Sequence, residues 1–266
     1  MTVAPIVLSA LYRYPVKSMR GQRLERSPVG PLGLPYDRMW MVADRAGRLV
    51  TGRDYPELVL IDAQPSEQGV TLSAPGRTSL FVPNTDFTEA HPATVWGDTF
   101  SAWRGAMEAE VWVSDFIGAR LRFLWTGVHT ARRLRIDESV PLSFADGYPL
   151  LIAGQASLDD LSARVGRSMV MERFRPNLVI SGAAPFAEDA WKRIRIGGAT
   201  FRIAKPCERC VFTTVDPETG RKALDQQPLR ALAAYRRTPE GVIFGQNLIA
   251  EGHGDLRCGM AVEIIE

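Results

Sequence analysis

Lys205-Pro206-Cys207-Glu208-Arg209-Cys210 is the stretch of this chain best suited to chemistry, with two cysteines three apart among basic side chains. Nearby cations favour the thiolate, which is both a nucleophile and a ligand for soft metals. A structural zinc site needs four ligands, usually two such pairs. Here the third cysteine, Cys258, lies 48 residues past Cys210 and has only His253 nearby. A redox pair of the thioredoxin kind opens a helix, whose N-terminus lowers a thiol pKa. The following Val211-Phe212-Thr213-Thr214 is β-branched and aromatic and reads as continued strand. Zinc and redox pair stay as lesser alternatives to a reactive or metal-ligating thiolate in a basic setting. The residues alone do not name a metal.

A second group is Arg173-Phe174-Arg175-Pro176-Asn177, just before the apolar run Leu178-Val179-Ile180. On a strand, residues two apart share a face, so two guanidinium forks and an amide would meet one anion, unless they simply form a solvated strand edge. Weaker signals are Lys17-Ser18 in a turn, Asp37-Arg38, the turn residue Asp146, and Gly245 within Phe244-Gly245-Gln246-Asn247. A glycine inside a strand permits close approach of a ligand or another backbone. The three histidines have no metal-cluster spacing, and no GxSxG, P-loop, HExxH or GxGxxG motif is present.

The elements that must carry these residues are mostly strands. Ile6 to Val16, Trp40 to Ala43 with Leu49 to Thr51, and Val70 to Ser73 with Ser79 to Val82 carry strand or hairpin patterns. Later strands are expected at Leu178 to Ser181, Arg193 to Ile196, Thr200 to Ala204, Val242 to Asn247 and Met260 to Ile265. Ser27 to Gly33, Pro83 to Asp86 and His91-Pro92 read as loops. Helices are few: Met107 to Ile117 ended by Gly118, one capped by Ser157 and ended by Gly166, and Leu229 to Arg236 introduced by Pro228. Many short strands with few helices give a mainly β chain of barrels or sandwiches. A boundary falls near residues 120–130, giving domains 1–125 and 126–266.

At 266 residues and 45% hydrophobic, the chain can bury a full core. No 18-residue apolar run predicts a membrane span. The opening MTVAPIVLSALYRYPVK lacks a basic n-region and reads as a first strand, not a signal peptide. Three cysteines do not make a disulfide framework, so a reducing cytoplasm is expected. The charged set contains 28 Arg and 4 Lys, a bias that base composition explains as readily as anion binding does. No basic stripe interleaved with aromatics points to nucleic acid.

Together these segments resemble the MOSC family, with its partner N-terminal β-barrel domain, and within it the amidoxime-reducing proteins. The resemblance runs in order through YPVKS at 14–18, GLPYDRMWMV at 33–42, FADGYPLLI at 144–152 and SLDDLSARVG at 157–166. It continues through RFRPNLVISG at 173–182, FAEDAWKRIRIGG at 186–198, KPCERCVFTTVDPETG at 205–220 and FGQNLI at 244–249. It implies two β-barrel domains and a bound molybdenum cofactor (molybdopterin), with Cys210 as the protein's ligand to the metal. Cys207 would be near the metal without binding it. Lys17, Ser18 and Arg38 would reach the cofactor from the N-terminal domain. Arg175 and Asn177, with Glu208 and Arg209, would contact the pterin and its phosphate, and Asp146 and Asn247 would line the pocket. Glu208 and Asn247 depart from the family pattern, a small polar and an aromatic residue respectively, which bears on the substrate face. The cofactor would carry the redox chemistry while the protein holds and tunes it.

The implied activity is reduction of N-hydroxylated compounds by oxygen-atom removal. A carrier that passes on sulfur or the cofactor without turnover is the alternative. Three cysteines are too few for a plant-type cluster, the chain stops at Glu266 after its last strand, and no flavin or nicotinamide fingerprint occurs. A separate redox protein is therefore expected to supply electrons.

Overall fold

The computed structural model describes residues 5–266, so the first four residues of the opening segment lie outside it. Strands dominate, as expected, and the described residues include three α-helices, Met107–Ile117, Gln155–Val165 and Leu229–Tyr235.

The largest sheet has nine strands. Its path runs Gln22–Leu24, Val7–Arg13, Leu178–Ser181, Leu150–Gly154, Gly241–Ala250, Ala199–Arg209, Arg193–Ile196 and Val262–Ile264, with Arg237–Thr238 added beside Gly241–Ala250. Its one parallel pair, Leu150–Gly154 with Leu178–Ser181, is joined through the helix Gln155–Val165, since a parallel return needs a long crossover. The ladder is not a closed barrel. Its far end folds back, however, through bonds from Leu8 N to Met260 O and from Val262 N to Ile6 O, both across the single bridge Val7–Ala261. A second sheet orders Trp40–Ala43, Arg122–Trp125, Asp98–Arg104 and Glu89–Val95, and a third Asp62–Pro65, Gly69–Ser73 and Leu80–Pro83. The first strand thus pairs within the sheet of the second half, while Arg122–Trp125 pairs with Trp40–Ala43 of the first.

That first strand is buried on both faces. Between Leu8 and Ala10 the register against Leu178–Ser181 shifts by a bulge. An extra residue reverses which face later side chains take. Leu8 and Leu11 consequently join the core with Ile152, Ile180 and Phe201, whereas Ala10, Tyr12 and Tyr14 join Leu158, Phe174 and Phe244. Two further shifts, between Ile203 and Lys205 and between Pro206 and Glu208, bend Ala199–Arg209 against Gly241–Ala250. They accommodate Pro206, which has no ladder donor. Opposite them Gly245 has φ 74°, and a Cβ there would lie 2.5 Å from Ile152 O.

Several expectations are corrected. Residues 211–214 form a 3-10 turn instead of continuing the strand, because Thr213 and Thr214 hydroxyls return to the carbonyls of Cys210 and Val211. His91-Pro92 lies within the strand Glu89–Val95; this is an edge strand, where a missing N–H is tolerated. Ser27–Pro28 belong to the strand Arg26–Val29, paired with Gly254–Arg257. Leu49–Thr51 returns beside Trp40–Ala43 only through the Ala43–Leu49 bridge and the bond from Val50 N to Val42 O.

Ser157 does not begin its helix. The helix starts at Gln155, and the fully buried Glu188 caps it from outside, accepting bonds from Gly154 N at 2.9 Å and Ser157 Oγ at 2.9 Å. A carboxylate there also meets the positive end of the helix dipole. Glu188→Ala leaves both donors without acceptors and is expected to cost about 1–3 kcal/mol. Urea unfolding checks this; an unchanged midpoint would mean the cap is not stabilising.

Candidate active site

A cavity of about 390 Å³ opens where the turn after the first strand, the loop 143–148, the turn before Leu178 and the Cys207–Cys210 segment converge. Seven basic side chains line it, namely Lys17, Arg38, Arg53, Arg173, Arg175, Lys205 and Arg209, against two acidic ones, Asp146 and Glu208. All nine residues carried over from the resemblance, and Cys210, lie on its wall.

The backbone that presents them is strained in a consistent way. Ser18, Arg38, Trp96 and Arg175 have φ of 69°, 50°, 54° and 54°. They are four of the seven non-glycine residues with positive φ among those described. Such conformations cost about 1–3 kcal/mol and persist where surrounding contacts over-determine them. Arg38 N bonds Tyr14 O and Lys17 N bonds Trp40 O, both at 2.8 Å, which holds those two turns.

Lys17 is buried, and its Nζ donates to Asp146 Oδ1 at 2.8 Å. Burial, with Arg132 and Arg38 nearby, outweighs Asp146 and pushes Lys17 down to about 8. Partial desolvation by the surrounding wall pushes the Asp146 carboxyl up, but the Lys17 ammonium and bonds from Lys17 and Trp96 more than reverse this, leaving it below the usual carboxylate range. Asp146 nonetheless faces the open cavity, with its side chain 75% exposed.

The geometry around Arg175 differs from the expectation of a strand edge. Met171–Arg173 is a 3-10 turn and the strand begins only at Leu178, so a turn, not strand alternation, sets the directions. Arg173 turns to Asp216 and to the carbonyls of Thr214 and Val215. Arg175 stays at the cavity: its Nη1 donates to Met19 O at 2.7 Å, while Nη2 is buried without an acceptor. Burial and the neighbouring Arg38 push Arg175 down to about 10. Asn177 holds other residues in place: Oδ1 accepts from Arg38 Nη1 and Leu151 N, and Nδ2 donates to Tyr12 O.

Around the cysteines, Arg209 braces the chain, donating to Phe244 O and Phe174 O. Lys205 turns to Glu208 at 2.7 Å, so both cations have hydrogen-bond partners other than the thiols, though the Arg209 charge still acts to lower Cys207 against its burial. Cys207 and Cys210 are both free thiols; burial pushes Cys207 up, and its Sγ lies 3.8 Å from Glu208 O. Asn247 Nδ2 donates to Pro206 O at 3.3 Å.

Sequence reasoning missed Arg53, Trp96, Phe212 and Arg132. Trp96 sits at a hairpin tip distant in sequence, donates to Asp146 at 2.8 Å, and lies under Arg53, whose Cζ is 4.4 Å from the ring centroid. Arg132 is buried and fixes the loop at 143–146 by donating to Ser143 O, Ala145 O and Asp146 O. No local motif marks any of them.

The wall suits a group that is anionic and brings most of its own metal ligands. No cluster of three or more His, Cys, Asp or Glu that could hold a metal occurs among the described residues, which leaves a cysteine thiol as the soft donor the cavity offers. The acceptor-free Nη2 of Arg175 and the excess of cations meet the anionic requirement. Binding of inorganic sulfate, whose charge does not change over this range, to the protein without cofactor is expected to weaken as pH rises through about 8, where Lys17 loses its charge. Titration calorimetry at pH 6.5 and 9 checks the sign; tighter binding at pH 9 would exclude Lys17.

A profile described as the MOSC N-terminal beta barrel domain matches residues 6–120, and one described as the MOSC domain matches 140–263. Mitochondrial amidoxime-reducing component 1 of Mus musculus is 32% identical over 97% of this chain and 82% of its own length. Mitochondrial amidoxime reducing component 2 of Homo sapiens is 34% identical over 95% and 81%. Molybdenum cofactor sulfurase of Oryza sativa subsp. japonica is 30% identical over 98% of this chain but only 35% of its own length.

Proposed function

Since the chain belongs to the MOSC family, we propose that it is a molybdenum-cofactor oxidoreductase that removes oxygen from N-hydroxylated small molecules. In this reading residues 1–125 form the N-terminal domain and 126–266 the MOSC domain. The observation that carries it is one cavity whose wall brings Cys210 together with seven basic side chains, Arg175 among them. Cys210 would ligate the molybdenum as thiolate. Arg175, Arg38, Lys17 and Ser18 would hold the pterin phosphate, with Asp146 and Asn247 on the wall beside the substrate. When bound, the cofactor supplies two-electron oxygen-atom chemistry. Asn177 and Arg209 act indirectly, by fixing Arg38 and the chain beside Cys210. Trp96 and Phe212 would line the cavity beside the substrate.

Electrons would come from a separate redox protein through a small, transient contact. Among the described residues no helix is long and apolar enough to cross a membrane. We place the protein in the cytoplasm on its cysteine usage.

The test is protein made in a cofactor-competent host, analysed for molybdenum and pterin and assayed with benzamidoxime. The expected result is near-stoichiometric molybdenum and sustained turnover with NADH only when a reductase and a ferredoxin or cytochrome are added. Molybdenum without turnover would favour the carrier; turnover with NADH alone would remove the separate donor.

A further inference from the structure

We infer that Tyr14 is a positioning residue whose ring holds Arg38 and Arg175 together so that both can meet one anionic group. The inference deepens the reading above, on which it rests, by naming what keeps two like charges converged at that site.

Arg38 Cζ lies 4.3 Å and Arg175 Cζ 4.1 Å from the centroid of the Tyr14 ring. Tyr14 is 0% exposed, so both contacts are shielded from water, where a cation over an aromatic face is worth most. The two guanidiniums repel each other, and Arg38 is among the causes that lower Arg175. Asp37 already offsets part of the Arg38 charge, and a second carboxylate between the two would take up further N–H donors and charge that a ligand needs. An aromatic face attracts the cations and consumes no donor. For Arg175 the result is visible: its Nη1 is used by Met19 O, while Nη2 has no acceptor.

The ring is itself fixed. Tyr14 N donates to Asp37 Oδ1 at 2.8 Å, and its carbonyl accepts from Arg38 N at 2.8 Å. The other oxygen of Asp37 accepts from Arg38 Nη1, and Arg38 Nη2 donates to Arg175 O at 3.0 Å. Gly21 makes room for the ring edge, since a Cβ there would lie 2.3 Å from Tyr14 Cε1. The Tyr14 hydroxyl is buried without a partner, so the ring and not the hydroxyl holds the arginines.

The test uses variants that keep the ring's shape. Tyr14→Phe and a series placing mono-, di- and trifluorophenylalanine at position 14 remove negative charge from the face stepwise without changing the fold's packing. Inorganic phosphate binding is measured by calorimetry on protein without cofactor, molybdenum content on protein from a cofactor-competent host, and melting temperature on both. Tyr14→Phe is expected to bind phosphate within about twofold of native. Affinity then falls with each fluorine, by roughly tenfold or more across the series, while the melting temperature changes little. Gly21→Ala, which displaces the ring, is expected to weaken binding in the same direction. Constant affinity across the fluorinated series overturns the inference, as does a tenfold loss in Tyr14→Phe, which would assign the effect to the hydroxyl. Native protein that binds neither phosphate nor molybdenum removes the inference together with the reading it rests on. Native protein that binds both, with a flat series, removes the inference alone.

Discussion

Cys210→Ser protein from a cofactor-competent host is expected to lose essentially all amidoxime turnover and to show an altered metal absorption spectrum, while Cys207→Ser keeps both its molybdenum and the native spectrum. The two thiols lie on the same cavity wall, and their surroundings separate them. Burial pushes the Cys207 thiol up, and its Sγ is turned toward Glu208 O. Cys210 stands where the strand Ala199–Arg209 ends and the 3-10 turn begins, in extended backbone with φ −126°. Its carbonyl accepts from Thr213 N and Oγ1, which fixes the residue and leaves the sulfur uninvolved in those bonds. A serine hydroxyl is a harder, far less acidic ligand than a thiol, so a soft metal is poorly served by the replacement. The cations would still hold the phosphate, so metal content alone is not the decisive measurement. An unchanged spectrum in Cys210→Ser, or a changed one in Cys207→Ser, would falsify the ligand assignment.

Arg175→Ala is expected to lower cofactor occupancy without lowering the melting temperature. A charge-assisted bond is worth about 1.5–3 kcal/mol, on the order of tenfold to a hundredfold in affinity. The stability side has the opposite sign from an ordinary buried arginine. Arg175 is desolvated, lies beside Arg38, and leaves Nη2 without an acceptor. Removing it relieves repulsion and desolvation, which offset the loss of one bond to Met19 O and of the contact with the Tyr14 ring. Arg38 is a poorer probe of the same question. It pairs with Asp37, whose side chain is only 1% exposed, and deleting it strands a buried carboxylate at a cost of about 3–5 kcal/mol. Metal and pterin analysis beside a thermal melt separates the two effects. Full occupancy with a lowered melting temperature would make Arg175 a brace for the turn before Leu178 instead of a ligand contact.

The residues themselves determined the class of this protein and most of its regular elements. Met107–Ile117 ends at Gly118 because the left-handed φ of 77° there favours glycine, and that glycine is visible in the sequence. The strands Leu178–Ser181 and Arg193–Ile196 follow from runs whose pattern is local. The thiol pair and the RFR segment were legible as chemistry because their spacing is short. How they are arranged was not legible. That Arg173 turns to Asp216 while Arg175 turns to Met19 O goes with a positive φ at a non-glycine residue, Arg175, which no side-chain pattern announces. The turn at 211–214 overrode a β-rich composition because threonine hydroxyls found carbonyls behind them. Trp96 and Arg132 enter the site from positions 50 and 14 residues before Asp146, across separate sheets. Tyr14 reads in sequence as one more buried aromatic. Only the bulge at Leu8–Ala10, which decides the face it takes, and the two arginines brought over its ring by distant turns give it a place at the site. Periodicity and composition are properties of neighbouring residues. Convergence of charges is a property of the packed chain, where burial and repulsion are balanced between residues far apart in sequence.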